Sequence, residues 1–441
     1  MNPTTLAQRL ADGPYQAYSY AYPHKSAYRP LPAPQDLAQL WAAENREALF
    51  GYVHIPFCSM RCGFCNLFAI ARPHADLVSA YVSQLVRQMR VLNETLGERR
   101  FARFALGGGT PTYLSAAQLA QILAAARDLL GIDTRSIPAG IEASPETVST
   151  DKLAVCHEFG IARISLGIQS FAAAETRALA RPQQSATVCD AIEQIRASGF
   201  ATLNLDLIYG IAGQTEASLL ASVDSALAFA PEEIYLYPLY VRPQTGLGKI
   251  TQRAGPAADG RQALYWAARR RLLAAGYRQL SMRLFRATAA PDNGGPVYCC
   301  QNDGMIGIGP GARSYTRTLH YSSAYAVARS ATLPIIEDYL DQTDADFRHA
   351  SYGFALNREE QQRRFVIQSL LTEPGLIHAD YRQRFGTDCL DDLPQLHELN
   401  ELHWAEASAD RLRLNAQGYA YADTIGPWLA SAAVNALMNE A

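Results

Sequence analysis

Cys58-Ser59-Met60-Arg61-Cys62-Gly63-Phe64-Cys65 decides the reading of this chain. Its three cysteines, spaced C-x3-C-x2-C, follow directly on the apolar run Gly51-Tyr52-Val53-His54-Ile55-Pro56-Phe57. Three thiolates on one short loop suit three irons of a [4Fe-4S] cubane and leave the fourth iron without a protein ligand. That open iron is where a chelating small molecule binds. The plain alternatives are buried thiols or a structural zinc site, but zinc wants four ligands and no second C-x2-C or H-x3-H pair follows.

Working outward, strand-like runs alternate with helical ones from Gly51 onward, the pattern of a parallel sheet with crossover helices. The expected strands are Tyr52 to Ile55, Arg103 to Leu106, Ala139 to Glu142, Arg163 to Gly167, Leu203 to Tyr209 and Ile234 to Leu239. Helices are expected near Asp76 to Leu96, Ala116 to Leu130, Pro145 to Glu158, Ala186 to Ser198, Glu216 to Phe229 and Arg261 to Ala275. Ser115 with Gln118 forms a capping box, and Ser144 precedes a proline at the first helical position. The fold class is therefore α/β, a partial (β/α)6 TIM-like barrel open on one side, with chemistry at the C-terminal ends of its strands.

The flanks read differently. Residues 1–50 form an N-terminal extension with five tyrosines between prolines (Tyr15, Tyr18, Tyr20, Tyr22, Tyr28), then a helix over Asp36 to Phe50. The tyrosines could simply pack on a surface. Alternatively they form a lid whose rings stack on a flat substrate while His24, Lys25 and Arg29 meet carboxylates. Gln279 to Arg283 suggests a further strand, Asn293 to Pro296 a loop, and Gly307 to Ser314 a glycine-rich turn close to a ligand. The barrel domain is expected over 51–325 and a small α+β, winged-helix-like C-terminal domain over 326–441. Within the latter, Gln361 to Leu371 reads as an amphipathic helix and His403 to Leu414 as a hairpin. Asp388, Asp391, Asp392, Glu398 and Glu401 make it acidic, which argues against DNA.

Further motifs carry a resemblance. Tyr52-Val-His-Ile-Pro-Phe-Cys58, Gly107-Gly-Gly-Thr-Pro-Thr112, Ile141-Glu142-Ala-Ser-Pro145, Arg163 to Phe171, Asp206-Leu-Ile-Tyr-Gly210 and Gly307 to Ser314 run in order over roughly residues 50 to 320. They resemble the radical S-adenosylmethionine (radical SAM) enzymes, in the branch similar to oxygen-independent coproporphyrinogen III oxidase. The resemblance implies a [4Fe-4S] cluster on Cys58, Cys62 and Cys65, with one or two S-adenosylmethionine molecules. It implies reductive cleavage to a 5′-deoxyadenosyl radical that takes hydrogen from an organic substrate. Gly108, Gly109 and Thr110 would let backbone approach the amino-acid end of the ligand, and Glu142 would take its ammonium. Arg181 would meet its carboxylate, Asp206 its ribose diol, and Gln169, Tyr52 and Phe64 would lie beside it. His54 could be no more than a packed core histidine.

The sequence departs from the pattern at two places. The porphyrinogen-oxidising members carry a further cysteine where this chain has Leu67, which weighs against porphyrinogen decarboxylation. The haem-chaperone members show a His-Asn pair followed by Tyr-Trp where this chain has Tyr298-Cys299-Cys300-Gln301-Asn302-Asp303. Adjacent Cys299 and Cys300 could donate a hydrogen atom, carry a radical or accept a methyl group if they face the cavity, or be idle thiols. A radical methyltransferase and a non-catalytic haem chaperone thus stand as alternatives. The expected partners are a small-molecule substrate, a tetrapyrrole among the candidates, and a reductant such as flavodoxin or ferredoxin.

Composition sets the outer limits. At 441 residues and 49% hydrophobic, the chain can bury a barrel-sized core. A formal charge of -3 gives no global field for nucleic acid or anionic lipid. No apolar run approaches the roughly 20 residues of a membrane span, and the start lacks a basic-then-apolar leader. Eight cysteines in so long a chain do not make a disulfide scaffold. The expected location is the cytoplasm.

Overall fold

The structure is a computed structural model and describes residues 5–254, 259–291 and 304–439. Six strands lie parallel and side by side in chain order: β1 Leu49–Ile55, β2 Phe101–Gly108, β3 Ala139–Ala143, β4 Arg163–Gln169, β5 Thr202–Tyr209 and β6 Glu233–Pro238. The α-helices Ala75–Leu96, Ala116–Leu130, Thr150–Glu158, Ser185–Ala197 and Glu216–Ala228 make the crossovers. The Ser115 capping box forms as the sequence implies, its hydroxyl accepting from Gln118 N.

Register decides what each face carries. Tyr52 lies opposite Ala105, Ala105 opposite Gly140, Gly140 opposite Arg163, and Arg163 opposite Thr202. Because side chains alternate along a strand, one row is Val53, Leu106, Ile141, Ile164, Leu166, Leu203, Leu205, Ile234 and Leu236, all buried in the hydrophobic core. Each such side chain contributes roughly 1.5–3 kcal/mol of burial free energy. The opposite row is Tyr52, Gly107, Glu142, Ser165, Asn204, Asp206, Tyr235 and Tyr237. The sheet thus has one oily face and one polar face.

The sheet extends beyond this core in both directions. Met305–Ile308 pairs parallel to β1, followed antiparallel by Arg313–Tyr315, Leu319–Ser322, His349–Ala355 and, at the edge, Arg29–Asp36. On the other side Leu284–Ala287 and Tyr277–Gln279 add antiparallel to β6. Thirteen of the strands found among the described residues form one open sheet, since its two end strands are different ones. It runs past residue 325 to Ala355 and takes in part of the first fifty residues.

Several local expectations are corrected. The helix read over Asp36 to Phe50 is only Leu37–Ala42, because Leu49 and Phe50 are drawn into β1. Pro145–Thr147 is a 3-10 turn and the helix starts at Thr150, so Ser144 is not its cap. Gln279 and Arg283 lie on opposite sides of a bend between two antiparallel strands rather than in one strand. Asn293 to Pro296 lies outside the described residues. C-terminally, helices Arg358–Leu370 and His378–Phe385 pack with a small sheet of Leu376–Ile377, Arg411–Leu414 and Ala405–Ala407. Its core includes Val366, Tyr381, Trp404 and Leu412, together with Leu6 and Tyr22 from the start of the chain. Among the described residues no helix is long and apolar enough to cross a membrane.

Candidate active site

The cysteine loop leaves β1 and is tied down by main-chain bonds. Phe57–Cys58 pairs parallel with Ile70–Ala71, closing the loop at its neck. Inside it, Gly63 N donates to Leu179 O at 2.9 Å, and Leu247 N donates to Gly63 O at 2.8 Å. A Cβ on Gly63 would stand 2.9 Å from Ala180 Cβ, so the glycine permits this contact. Arg61 Nη1 donates to Ala69 O at 2.9 Å and its other arm reaches Val327 O.

Two of the three cysteines meet a polar side chain. Thr110 Oγ1 donates to Cys58 Sγ at 3.5 Å and Arg181 Nη1 to Cys62 Sγ at 3.1 Å. Burial pushes the Cys58 thiol up to about 12, with the neighbouring Cys65 and Cys62 thiolates opposing its ionisation further. Burial likewise raises Cys65. Such thiols ionise when a metal compensates them, so the donor set fits a metal cluster. Among the described residues no three His, Cys, Asp or Glu side chains are gathered as a single-ion site.

From the loop the polar face continues across the strand ends. Gly108, at φ +117, donates its N–H to Glu142 Oε2 at 2.9 Å. A Cβ on Gly107 would meet the Tyr52 hydroxyl at 2.8 Å, and one on Gly109 would meet Cys58 Sγ at 2.9 Å. The three glycines therefore give the backbone clearance beside Tyr52, Glu142 and Cys58. Glu142 has exposed surface although burial raises its pKa. A group packed deep yet open to solvent lines an internal hollow, and Tyr52, Asp206, Tyr235 and Tyr237 share this character.

Asp206 accepts from Asn204 Nδ2 at 2.7 Å. Burial pushes its carboxyl up to about 7. Below it, Glu233 is shared by Arg163 and Arg286. Gln169 ends β4 at φ +64, a conformation a non-glycine residue rarely holds. Arg181 is buried, with Nη2 donating to Ser144 Oγ at 2.7 Å and to Gly167 O at 2.9 Å, and Glu146 lies 3.8 Å away. Phe64 packs on the apolar group Leu179, Ile208, Ile211 and Leu239.

His54 is a packed histidine. It is buried, Nε2 lies 2.9 Å from Phe68 O, and burial lowers its pKa to about 4. Gly108 and Gly311 both close on its ring, where a Cβ would come within 2.7 Å and 2.6 Å.

Tyr18 and Tyr20 of the tyrosine segment face the hollow, whereas Tyr22 packs in the C-terminal core. Tyr18 stacks edge-on to Tyr237 at 6.3 Å, and the Arg283 guanidinium lies 3.7 Å from the Tyr18 ring centroid. Arg283 in turn pairs with Asp423 of the C-terminal part, both nearly inaccessible. Tyr20 accepts from Arg313 Nη1 at 3.0 Å. Arg29 donates instead to Ser26 O, Tyr28 O and Leu437 O.

The structure thus gathers Cys58, Cys62, Cys65, Gly108, Gly109, Thr110, Arg181, Glu142 and Gln169 at one end of the parallel strands, with Tyr52 and Asp206 mid-strand on the same polar face and Phe64 at the apolar border. Cys299 and Cys300 lie outside the described residues. Sequence reasoning missed Asn204, Arg163, Glu233, Tyr235 and Tyr237, although alternation in Asn204-Leu-Asp206 and Glu233-Ile-Tyr235-Leu-Tyr237 carries the signal.

Comparison with known proteins agrees with this architecture. The family model described as the radical SAM superfamily matches residues 52–226, and that of the HemN C-terminal domain matches 356–421. Oxygen-independent coproporphyrinogen III oxidase of Bradyrhizobium diazoefficiens is 32% identical over 357 residues, covering 76% of each chain. Heme chaperone HemW of Bacillus subtilis is 29% identical over 278 residues, covering 61% of this chain and 72% of that one. The solved coproporphyrinogen III oxidase (HemN) from Escherichia coli superposes with a TM-score of 0.80 at 23% identity, over 94% of this chain and 97% of that one. The fold class is that of radical SAM proteins, whose family uses a [4Fe-4S] cluster and S-adenosylmethionine. Within that superfamily, this chain belongs to the family of oxygen-independent coproporphyrinogen III oxidases and their HemW-type relatives.

Proposed function

We propose that this chain is a radical SAM enzyme that holds a [4Fe-4S] cluster on Cys58, Cys62 and Cys65 and acts on an organic substrate admitted to the polar hollow. The observation that carries the reading is the triad itself: three half-buried thiols on one clamped loop beside a strand-end carboxylate. Bound there, cluster and S-adenosylmethionine would supply a 5′-deoxyadenosyl radical that removes a hydrogen atom from the substrate.

The chain's own residues have separable tasks. Arg181 and Thr110 donate to the Cys62 and Cys58 sulfurs and so orient them. Glu142, held on one oxygen by the Gly108 amide, offers its other oxygen to the ligand's ammonium. Gly108 and Gly109 let the backbone approach the amino-acid end, and Asp206 with Gln169 receives ribose and adenine-side hydroxyls and amines. Tyr52 and Phe64 exclude water beside it. A tetrapyrrole suits the tyrosine-lined hollow, flat rings stacking on flat rings. A cytoplasmic setting with a flavodoxin or ferredoxin fits an oxygen-sensitive centre that needs one electron at a time.

The test is anaerobic reconstitution followed by reductant and S-adenosylmethionine. Four irons per chain and formation of 5′-deoxyadenosine are expected. A single zinc per chain, or stable haem binding without any nucleoside product, would overturn the enzymatic reading.

A further inference from the structure

Most buried cations near the hollow have a counter-charge. Arg163 and Arg286 share Glu233, Arg283 has Asp423, and Arg181 has the Cys62 sulfur and Glu146. Lys25 and Arg313 differ. Neither has a carboxylate partner among the described residues; the Lys25 ammonium lies 3.5 Å from the Tyr325 ring centroid, and Arg313 reaches the Tyr20 phenol. Both keep accessible surface, although burial is the leading influence on each.

The two cations act on one spot. Burial would raise the Tyr20 phenol, yet Arg313 and Lys25 together draw it below its ordinary value. The local positive potential therefore outweighs desolvation. Lys25 sits on the Tyr325 ring, whose hydroxyl donates to Asn66 O next to Cys65, and Arg313 begins the strand that pairs with Met305–Ile308, the neighbour of β1. The spot lies between the cysteine loop and the first strand, beside the place proposed for radical formation. A buried cation lacking a counter-ion costs several kcal/mol, and an incoming anion removes that cost.

We propose that Lys25, Arg313 and the Tyr20 hydroxyl form a carboxylate-binding niche, in which a molecule bound beside the cysteine loop docks a carboxylate group. This rests on the reading of the hollow as an active site. The carboxylate could be the substrate's or that of an adenosyl ligand, and the two are separable by experiment. Arg313 offers a planar fork and Lys25 a point charge, so the pair grips one carboxylate from two sides while Tyr20 donates a third bond.

The test uses the cluster-reconstituted chain without reductant, so that binding is read apart from radical formation. Equilibrium dialysis compares coproporphyrin III, a tetracarboxylate, with its tetramethyl ester, and separately S-adenosylhomocysteine. The parent should prefer the acid by at least about tenfold, and Arg313→Met and Lys25→Met should each erase most of that preference. Arg313→Lys should keep part of it. Loss of S-adenosylhomocysteine affinity instead assigns the niche to the adenosyl carboxylate. Melting temperatures without ligand check the structural alternative: removal of an uncompensated charge should leave them unchanged or higher. If neither the acid preference nor S-adenosylhomocysteine affinity changes in either methionine variant, the niche is refuted. Persistence of the acid preference in a parent chain that never cleaves S-adenosylmethionine would sink the proposed function and leave the niche standing.

Discussion

At the strand ends Glu142 takes the Gly108 amide and Thr110 reaches Cys58, whereas across the hollow Tyr18 rests on Arg283 and Tyr20 on Arg313. The first wall is assembled from successive strands whose positions the hydrogen-bonded ladder sets. The second is assembled side chain to side chain from segments hundreds of residues apart, down to Asp423. Register holds the reacting end rigid. Packing shapes the facing wall, where a different substrate can be accommodated without disturbing the strands.

Substitutions can break or sharpen this contrast. Cys58→Ala, Cys62→Ala or Cys65→Ala should each reduce 5′-deoxyadenosine formation to background, measured by chromatography after anaerobic turnover. Asp423→Asn should have the largest effect on stability, about 3–5 kcal/mol in denaturant titration, since it strands the inaccessible Arg283. Glu142→Gln should weaken S-adenosylmethionine binding by about tenfold in calorimetry, with a smaller change in stability.

Asp206 gives a sign to check. Burial pushes its carboxyl to about 7 in the folded chain. The unfolded value is about 3.9, so between the two the folded chain holds a proton that the unfolded chain has released. Stability falls as pH rises through that window. Asp206→Asn should therefore be more stable than the parent at pH 8, by up to about 4 kcal/mol before solvent screening reduces it, and equal to it near pH 4. Equal melting temperatures at pH 8 would show that water relieves Asp206 of its burial.

The contrast also explains what could be read in advance. The six parallel strands were legible because each is an apolar run with its own helix after it, as in Leu203 to Tyr209 followed by Glu216–Ala228. The strand Arg29–Asp36 was not, since Pro30, Pro32 and Pro34 read as loop. It survives as an edge strand that pairs at Arg29 and Pro30, slips, and pairs again at Gln35 and Asp36. The cysteines and Glu142 announced themselves by spacing and motif. Arg313 did not stand out within its glycine-rich turn, because its meaning depends on Tyr20, nearly three hundred residues away.

Radical chemistry in this chain depends on an iron that the polypeptide leaves unligated. Electron paramagnetic resonance of the reduced, reconstituted chain tests this most directly, recorded before and after S-adenosylmethionine is added. A changed cluster spectrum is predicted, because the ligand's amino and carboxylate groups would occupy that iron. A spectrum indifferent to S-adenosylmethionine would contradict the account.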